Sequence, residues 1–343
     1  MIASFPQPPG PAPLLVEVTR GGFVESRHHV ICAITDGQGA LLAAWGDVEM
    51  PVSPRSACKP LQQIALVESG AADAFGLSAE ELALACASHS GQKEHVARVR
   101  DWLARLGLGE ADLECGAHYP YHEPSAQELW RAATRPTQLH NNCSGKHAGF
   151  LTLARHLDLP TRGYVEKAHP VQQQIATVMG EMTGAPLRDA PWGPDGCGIP
   201  TYAFPLAALA HGLSRMAAPD GLAPARAAAC RRLLDAMGGQ PLMVAGEGRF
   251  DTAVMRATGA RIVTKGGAEG VHVAAIRERG WGLAVKSLDG AARAADAATA
   301  AVLDWLGLLG PAEQAALAPF RRQRLATRRG IEAGFVRMAE AGF

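Results

Sequence analysis

Apolar residues alternate in short runs at both ends of this chain and recur with helical spacing through its middle, which limits the folds open to it. Leu14 to Thr19, His29 to Thr35 and Ala40 to Trp45 read as strands. The last two are joined by Asp36-Gly37-Gln38-Gly39, a turn sequence that favours an antiparallel hairpin. Strand patterns return at Arg261 to Lys265, Val271 to Arg277 and Gly282 to Ser287, with RERGWG (277–282) as a turn. Between these ends lie helices. Ser78-Ala79-Glu80-Glu81 is a capping box opening a helix through about Ala85, and Ser125-Ala126-Gln127-Glu128 reads as another. From Gln92 to Leu106, apolar Val96, Val99, Leu103 and Leu106 fall on one helical face, with Gly107 as the stop. Further helices fit Lys146 to Leu157, Val171 to Met182, Pro224 to Met237 and Ala291 to Leu308. Strands at both ends with helices between predict an α+β class: one antiparallel sheet from the N- and C-terminal strands, flanked by helices. The expected organisation is a Pro-rich, unstructured lead over residues 1–13, then a single domain over 14–343 with a helical subdomain around 60–240.

Charge narrows the partners. Lys plus Arg and Asp plus Glu both number 33, so the formal net charge is zero. No global basic field exists to hold nucleic acid or an anionic membrane, and a small neutral or zwitterionic ligand fits better. No run of about 18 apolar residues occurs, so no membrane span is expected. The opening MIASFPQPPGPAPLLVEV lacks a basic stretch and carries five prolines, which argues against a signal peptide. Seven scattered cysteines do not form a secreted disulfide framework. The expected compartment is the cytoplasm.

Three stretches offer a hydroxyl or an amine for chemistry. In RSACKP (55–60), Ser56 and Lys59 share a face of a helical turn, about 5–6 Å apart, and Pro60 places them where a helix begins. Ser90 and Lys93 repeat the spacing, so the pair alone decides nothing. Ser88-His89-Ser90 and Lys265-Gly266-Gly267 complete the set. In order, though not in letters, they match the S-x-x-K, S-D-N and K-T-G boxes of serine-acylating penicillin-recognising enzymes. Such a set suits acyl transfer. A serine hydroxyl needs an adjacent base, and a lysine serves as one only when neutral. Burial and a second cation both favour the neutral amine, so Lys59 facing Lys265 would be poised for the task. Glycines after Lys265 would let an edge strand approach a substrate. The alternative reading makes Ser56, Ser88 and Ser90 helix caps and both lysines solvated surface residues.

A second constellation joins NNCSGKH (141–147) to Asp195-Gly196-Cys197-Gly198. Cys143, His147 and Cys197 with a water would make an open zinc arrangement; the alternative is two buried free thiols and a capping histidine. Cys32, Cys58, Cys86, Cys115 and Cys230 fall in mostly apolar surroundings and read as structural.

Taken together, RSACKP, CASHSGQ, NNCSGKHAGF, DGCGIPTYAFP and MVAGEGRFDT resemble the thermolabile type II L-asparaginases of the Rhizobium type. That group is unrelated to the threonine-dependent bacterial asparaginases. The resemblance runs from about Val16 to Ser287, with weaker motifs towards residue 330. It implies a fold like serine β-lactamases and bacterial glutaminases, hydrolysis of L-asparagine, and a homodimer. Its two Ser-Lys tandems fall on Ser56 with Lys59 and on Ser88 with Lys265. Its zinc ligands fall on Cys143, Lys146 and Cys197, which replaces His147 as ligand, since a neutral lysine can bind the ion. His147 and Asp195 become candidates for substrate contacts, and Asp195 and Arg55 are expected to meet the ammonium and carboxylate of asparagine. The competing expectations are a glutaminase, a penicillin-type serine acyl hydrolase, or a zinc-stabilised binding module without turnover.

Overall fold

The computed structural model describes residues 12–339. The lead expected at 1–13 therefore lies, apart from Ala12 and Pro13, outside the described residues. Two compact units divide the chain. One takes the described residues up to Ala57, Phe204–Ala218 and those from Ala253 onward; the other takes Cys58–Ala203 and Pro219–Thr252.

The first unit is built on an eight-stranded sheet. Its strands are β1 (Leu14–Arg20), β2 (Phe23–Thr35), β3 (Leu41–Trp45), β4 (Ile262–Gly267), β5 (Val271–Ile276), β6 (Trp281–Ser287), β7 (Arg322–Ala326) and β8 (Glu332–Met338). Across the sheet the order is β7-β8-β1-β2-β6-β5-β4, with β3 also paired to β2. Every pairing is antiparallel. The two ends of the chain interleave, Val16 standing opposite Met338 and Cys32 opposite Val285. In β1, Leu14, Val16 and Val18 are buried while the residues between them are partly exposed, the alternation of a strand with one face on the core. β5 is buried along its whole length, as in a strand covered on both faces. Helices Leu206–Ala217 and Ala292–Trp305 pack on β5 and β6, so the α+β class with a helix-flanked antiparallel sheet holds.

Helices make up most of the second unit. The ones that position the site are α1 (Lys59–Gln62), α2 (Ala79–Ala85), α3 (Lys93–Arg105), α4 (Ser144–His156) and α5 (Pro224–Gly239). Ser78 caps α2 as expected: its Oγ accepts from Glu81 N–H at 3.3 Å, and Glu81 Oε2 accepts from Ser78 N–H at 2.9 Å. Gly107 follows α3 with φ +67°, the left-handed stop. In α4 every residue from Ser144 to Ala154 is buried, so this helix is surrounded on all sides. Gly145 lets it do so. A Cβ there would lie 2.4 Å from Leu84 O at the end of α2.

One cap expectation is corrected. Ser125 does not open a helix, because the helix Glu123–Arg131 has already begun at His122, with Pro124 in its first turn. Ser125 Oγ instead bonds His122 Nδ1 at 2.8 Å. No helix among the described residues is long and apolar enough to cross a membrane.

Candidate active site

Arg55–Cys58 form a single 3-10 turn, and at the Ala57–Cys58 bond the chain passes from the first unit to the second. Arg55 holds φ +50°, a left-handed backbone that costs a non-glycine residue about 1–3 kcal/mol and clusters at functional sites. Ser56 follows it, half-buried, inside the turn and not at a helix cap. Ala57 N–H donates to Pro54 O at 3.0 Å and closes the turn.

Also in the first unit, β4 is an edge strand and carries Lys265, which is 1% exposed and donates to Gly266 O. Two residues on, and hence on the same face of the strand, Gly267 abuts the Ser56 turn. A Cβ at Gly267 would lie 2.6 Å from Pro54 O and 3.0 Å from Ala57 N. The glycine expected to admit a substrate thus admits the chain's own backbone.

In the second unit, Lys59 opens α1 with Pro60 in its first turn. Lys59 is 1% exposed, and its Nζ donates to Ala87 O at 2.5 Å and to Ser88 Oγ at 3.0 Å. A solvated lysine this is not. The resemblance pairs Lys59 with Ser56; the hydroxyl seen bonded to its amine is that of Ser88. Ser88 N–H donates to Val244 O at 3.0 Å, and Ser90 Oγ to Ala245 O at 2.6 Å, so neither serine caps α3, whose N-cap is Gln92. Between them His89 is fully buried. Its Nδ1 accepts from Gly91 N–H at 3.1 Å, which leaves Nε2–H to donate to Ser144 Oγ at 2.9 Å. That bond ties the Ser88 loop to the first turn of α4. Burial, and then the charges of His95 and Lys59, hold the His89 ring well below its usual pKa and therefore neutral.

The first turn of α4 carries the second cluster. Lys146 Nζ donates to Cys197 Sγ at 2.9 Å, and the thiols of Cys143 and Cys197 are hydrogen-bonded to each other. That thiol bond, reinforced by the charge of Lys146 against the cost of burial, pulls Cys197 down to about 5, so it is a thiolate at neutral pH. Cys143 supplies the shared proton and is pushed up to about 12. Burial opposes a charge on Lys146, but the two sulfurs and Asp195 overcome it and raise its pKa. Asp195 is half-buried and accepts from Gly196 N–H at 2.7 Å. Cys58 is buried within reach of the Lys146 and Asp195 charges, and burial pushes its thiol up to about 12. Two sulfurs and one amine gathered in this way suit a borderline-soft cation such as zinc. No group of three His, Cys, Asp or Glu side chains capable of holding a metal is found among the described residues.

His147 completes the turn. Fully buried, it is pushed down to about 3 by desolvation and by Lys146 beside it, so its ring is neutral. Its Nδ1 lies 2.7 Å from Tyr164 Oη. Sequence reading missed Tyr164 and also the link from His89 to Ser144, since neither contact has a spacing signature.

The family model for L-asparaginase II matches residues 16–338, a span that contains every residue of both clusters. The chain belongs to the L-asparaginase II family. Asparagine hydrolysis is what that family's description names. Among solved structures, a β-lactamase from Mycobacterium bovis is 15% identical to this L-asparaginase II family member, over 85% of this chain and 94% of its own, with a TM-score of 0.37. None of the curated proteins matches.

Proposed function

We propose that this chain is an L-asparagine amidohydrolase that releases aspartate and ammonia through Ser-Lys nucleophilic catalysis. One observation carries the reading: in a member of the L-asparaginase II family, a fully buried lysine amine lies 3.0 Å from a serine hydroxyl. An amine can take a serine proton only in its neutral form.

In this reading Ser56 attacks the side-chain amide carbon of asparagine and Lys59 takes its proton. The amine then returns that proton to the departing nitrogen, ammonia leaves, and water cleaves the aspartyl ester to restore the hydroxyl. Ser88, bonded to Lys59, and Lys265 form the second pair. Backbone N–H groups at the helix start stabilise the developing oxyanion, where losing one donor commonly costs about 10²–10³ in kcat. Asp195 pairs with the substrate ammonium, Arg55 with its carboxylate, and His147 contacts the substrate.

Cys143, Lys146 and Cys197 would hold zinc, with Lys146 giving up its proton to bind. The ion would supply a fixed positive charge that braces the wall of the substrate pocket. Removing Cys143 by Cys143→Ser is expected to lower the bound zinc measured by atomic absorption; unchanged stoichiometry would count against this ligand set.

Ammonia release from asparagine, glutamine and a β-lactam, assayed side by side, tests the activity. Turnover should be greatest with asparagine. To identify the nucleophile, the protein is labelled with an asparagine-like electrophile and mapped by peptide mass spectrometry. The adduct is expected on Ser56. An adduct on Ser88 instead would reassign the nucleophile to the serine that Lys59 visibly contacts.

A further inference from the structure

Tyr164 is fully buried and sits at a junction that the proposed chemistry does not use. Its hydroxyl accepts from Glu114 N–H at 2.9 Å and lies 2.7 Å from His147 Nδ1. On the far side of the imidazole, His147 Nε2 is buried and has no hydrogen-bond partner. Glu114 Oε2 also lacks a partner, so it is not the acceptor for that nitrogen.

Counting partners assigns the protons. If His147 Nδ1 carried the hydrogen, Tyr164 would accept twice, its own O–H proton would be left without a partner, and Nε2 would be a bare lone pair. Two buried groups would go unsatisfied. If Tyr164 donates to Nδ1, its hydroxyl is fully used and only one group remains open, the Nε2–H donor. Buried polar groups are satisfied wherever the geometry allows, so the second arrangement is favoured. Burial also raises the Tyr164 phenol well above its usual range, and it keeps the proton it would donate.

His147 follows Lys146 in the first turn of α4, and Lys146 Nζ donates to Cys197 Sγ at 2.9 Å, so the ring lies beside the sulfur cluster. We infer that Tyr164 is a positioning residue: its hydroxyl locks His147 in the Nε2–H tautomer, so that the ring presents one buried N–H donor to an acceptor oxygen of the substrate. An N–H donor that waits without a protein partner gains its bond only when the substrate binds, and a missing partner at such a site is strongly discriminating. This inference rests on the proposed amidohydrolase reading for the identity of the substrate, but not for the tautomer.

The test separates the two. In purified full-length protein with ring-15N histidine, long-range proton–nitrogen spectra should show His147 as the Nε2–H tautomer, and Tyr164→Phe should convert it to Nδ1–H or a mixture. In the same variant KM for asparagine should rise about tenfold with kcat little changed. His147→Gln, whose amide places a donor near the Nε2 position without help from the tyrosine, should retain most of the affinity. Adding Tyr164→Phe to it should have little further effect on KM. An Nδ1–H tautomer in the unaltered protein, or a tautomer indifferent to Tyr164→Phe, would overturn the inference. Should Tyr164→Phe fail to fold, loss of affinity in His147→Gln as complete as in His147→Ala would overturn it equally. A correct tautomer in a protein that leaves asparagine intact would sink the amidohydrolase reading alone.

Discussion

Lys59 shows how much one buried side chain decides. Its amine satisfies Ala87 O and Ser88 Oγ at once, and it reaches them from within 1% exposure. Lys59→Met keeps the stem and removes the proposed base, so kcat for ammonia release should fall about 10²–10⁴-fold, the usual worth of a general base. Circular dichroism should still report a folded chain. Activity within threefold of the parent would remove Lys59 from the mechanism. Arg55 is the complementary case, where the backbone is strained and the side chain is not buried. Its φ of +50° turns the chain sharply just before Ser56, a geometry that no composition or periodicity announces.

At the scale of elements, α4 and α2 meet through a position that only glycine can fill. A Cβ on Gly145 would stand 2.4 Å from Leu84 O, with both partners in backbone that cannot rotate aside. Gly145→Ala should therefore push α4 away from α2, at a cost of about 1–3 kcal/mol typical of overpacking, read as a lower urea midpoint. Because Cys143 and Lys146 flank this glycine, the proposed zinc site should be disturbed in parallel. An unchanged midpoint would show that the two helices tolerate the extra carbon. The Ser88 loop is fastened to the same helix turn by His89, so its serine and the sulfur cluster depend on one local scaffold.

Over the whole molecule the formal net charge is zero near neutrality, and acid sensitivity is expected to come from buried imidazoles rather than from self-repulsion. His89 and His95 stack with ring centroids 4.9 Å apart, and burial holds both below their usual pKa. The unfolded chain takes up protons near pH 6.5 while these rings remain neutral in the fold, so the unfolded state binds more protons in acid. Stability supplied by these rings is thus present above about pH 6.5 and lost as pH falls below it. Melting temperature should drop between pH 7 and pH 4.5, and less steeply in His89→Asn. A flat profile across that range would mean the rings already carry charge in the folded state.

What the sequence determined by itself was local. Strand alternation at β1, the Asp36–Gly39 hairpin, the Ser78 capping box and the Gly107 stop each depend on contacts within a turn or two, where neighbouring residues decide the outcome. β7 and β8 escaped notice because β7 alternates only between exposed and half-exposed residues, and its place beside β8 and β1 is a matter of pairing rather than of pattern. Only the tertiary structure decided which amine meets which hydroxyl and what holds each ring. Lys59 reaches Ser88 across 28 intervening residues, 60–87, and His147 reaches Tyr164 across another 16, residues 148–163. Such bonds form between whatever surfaces the folded segments bring within 3 Å of each other, and no spacing along a chain specifies that meeting.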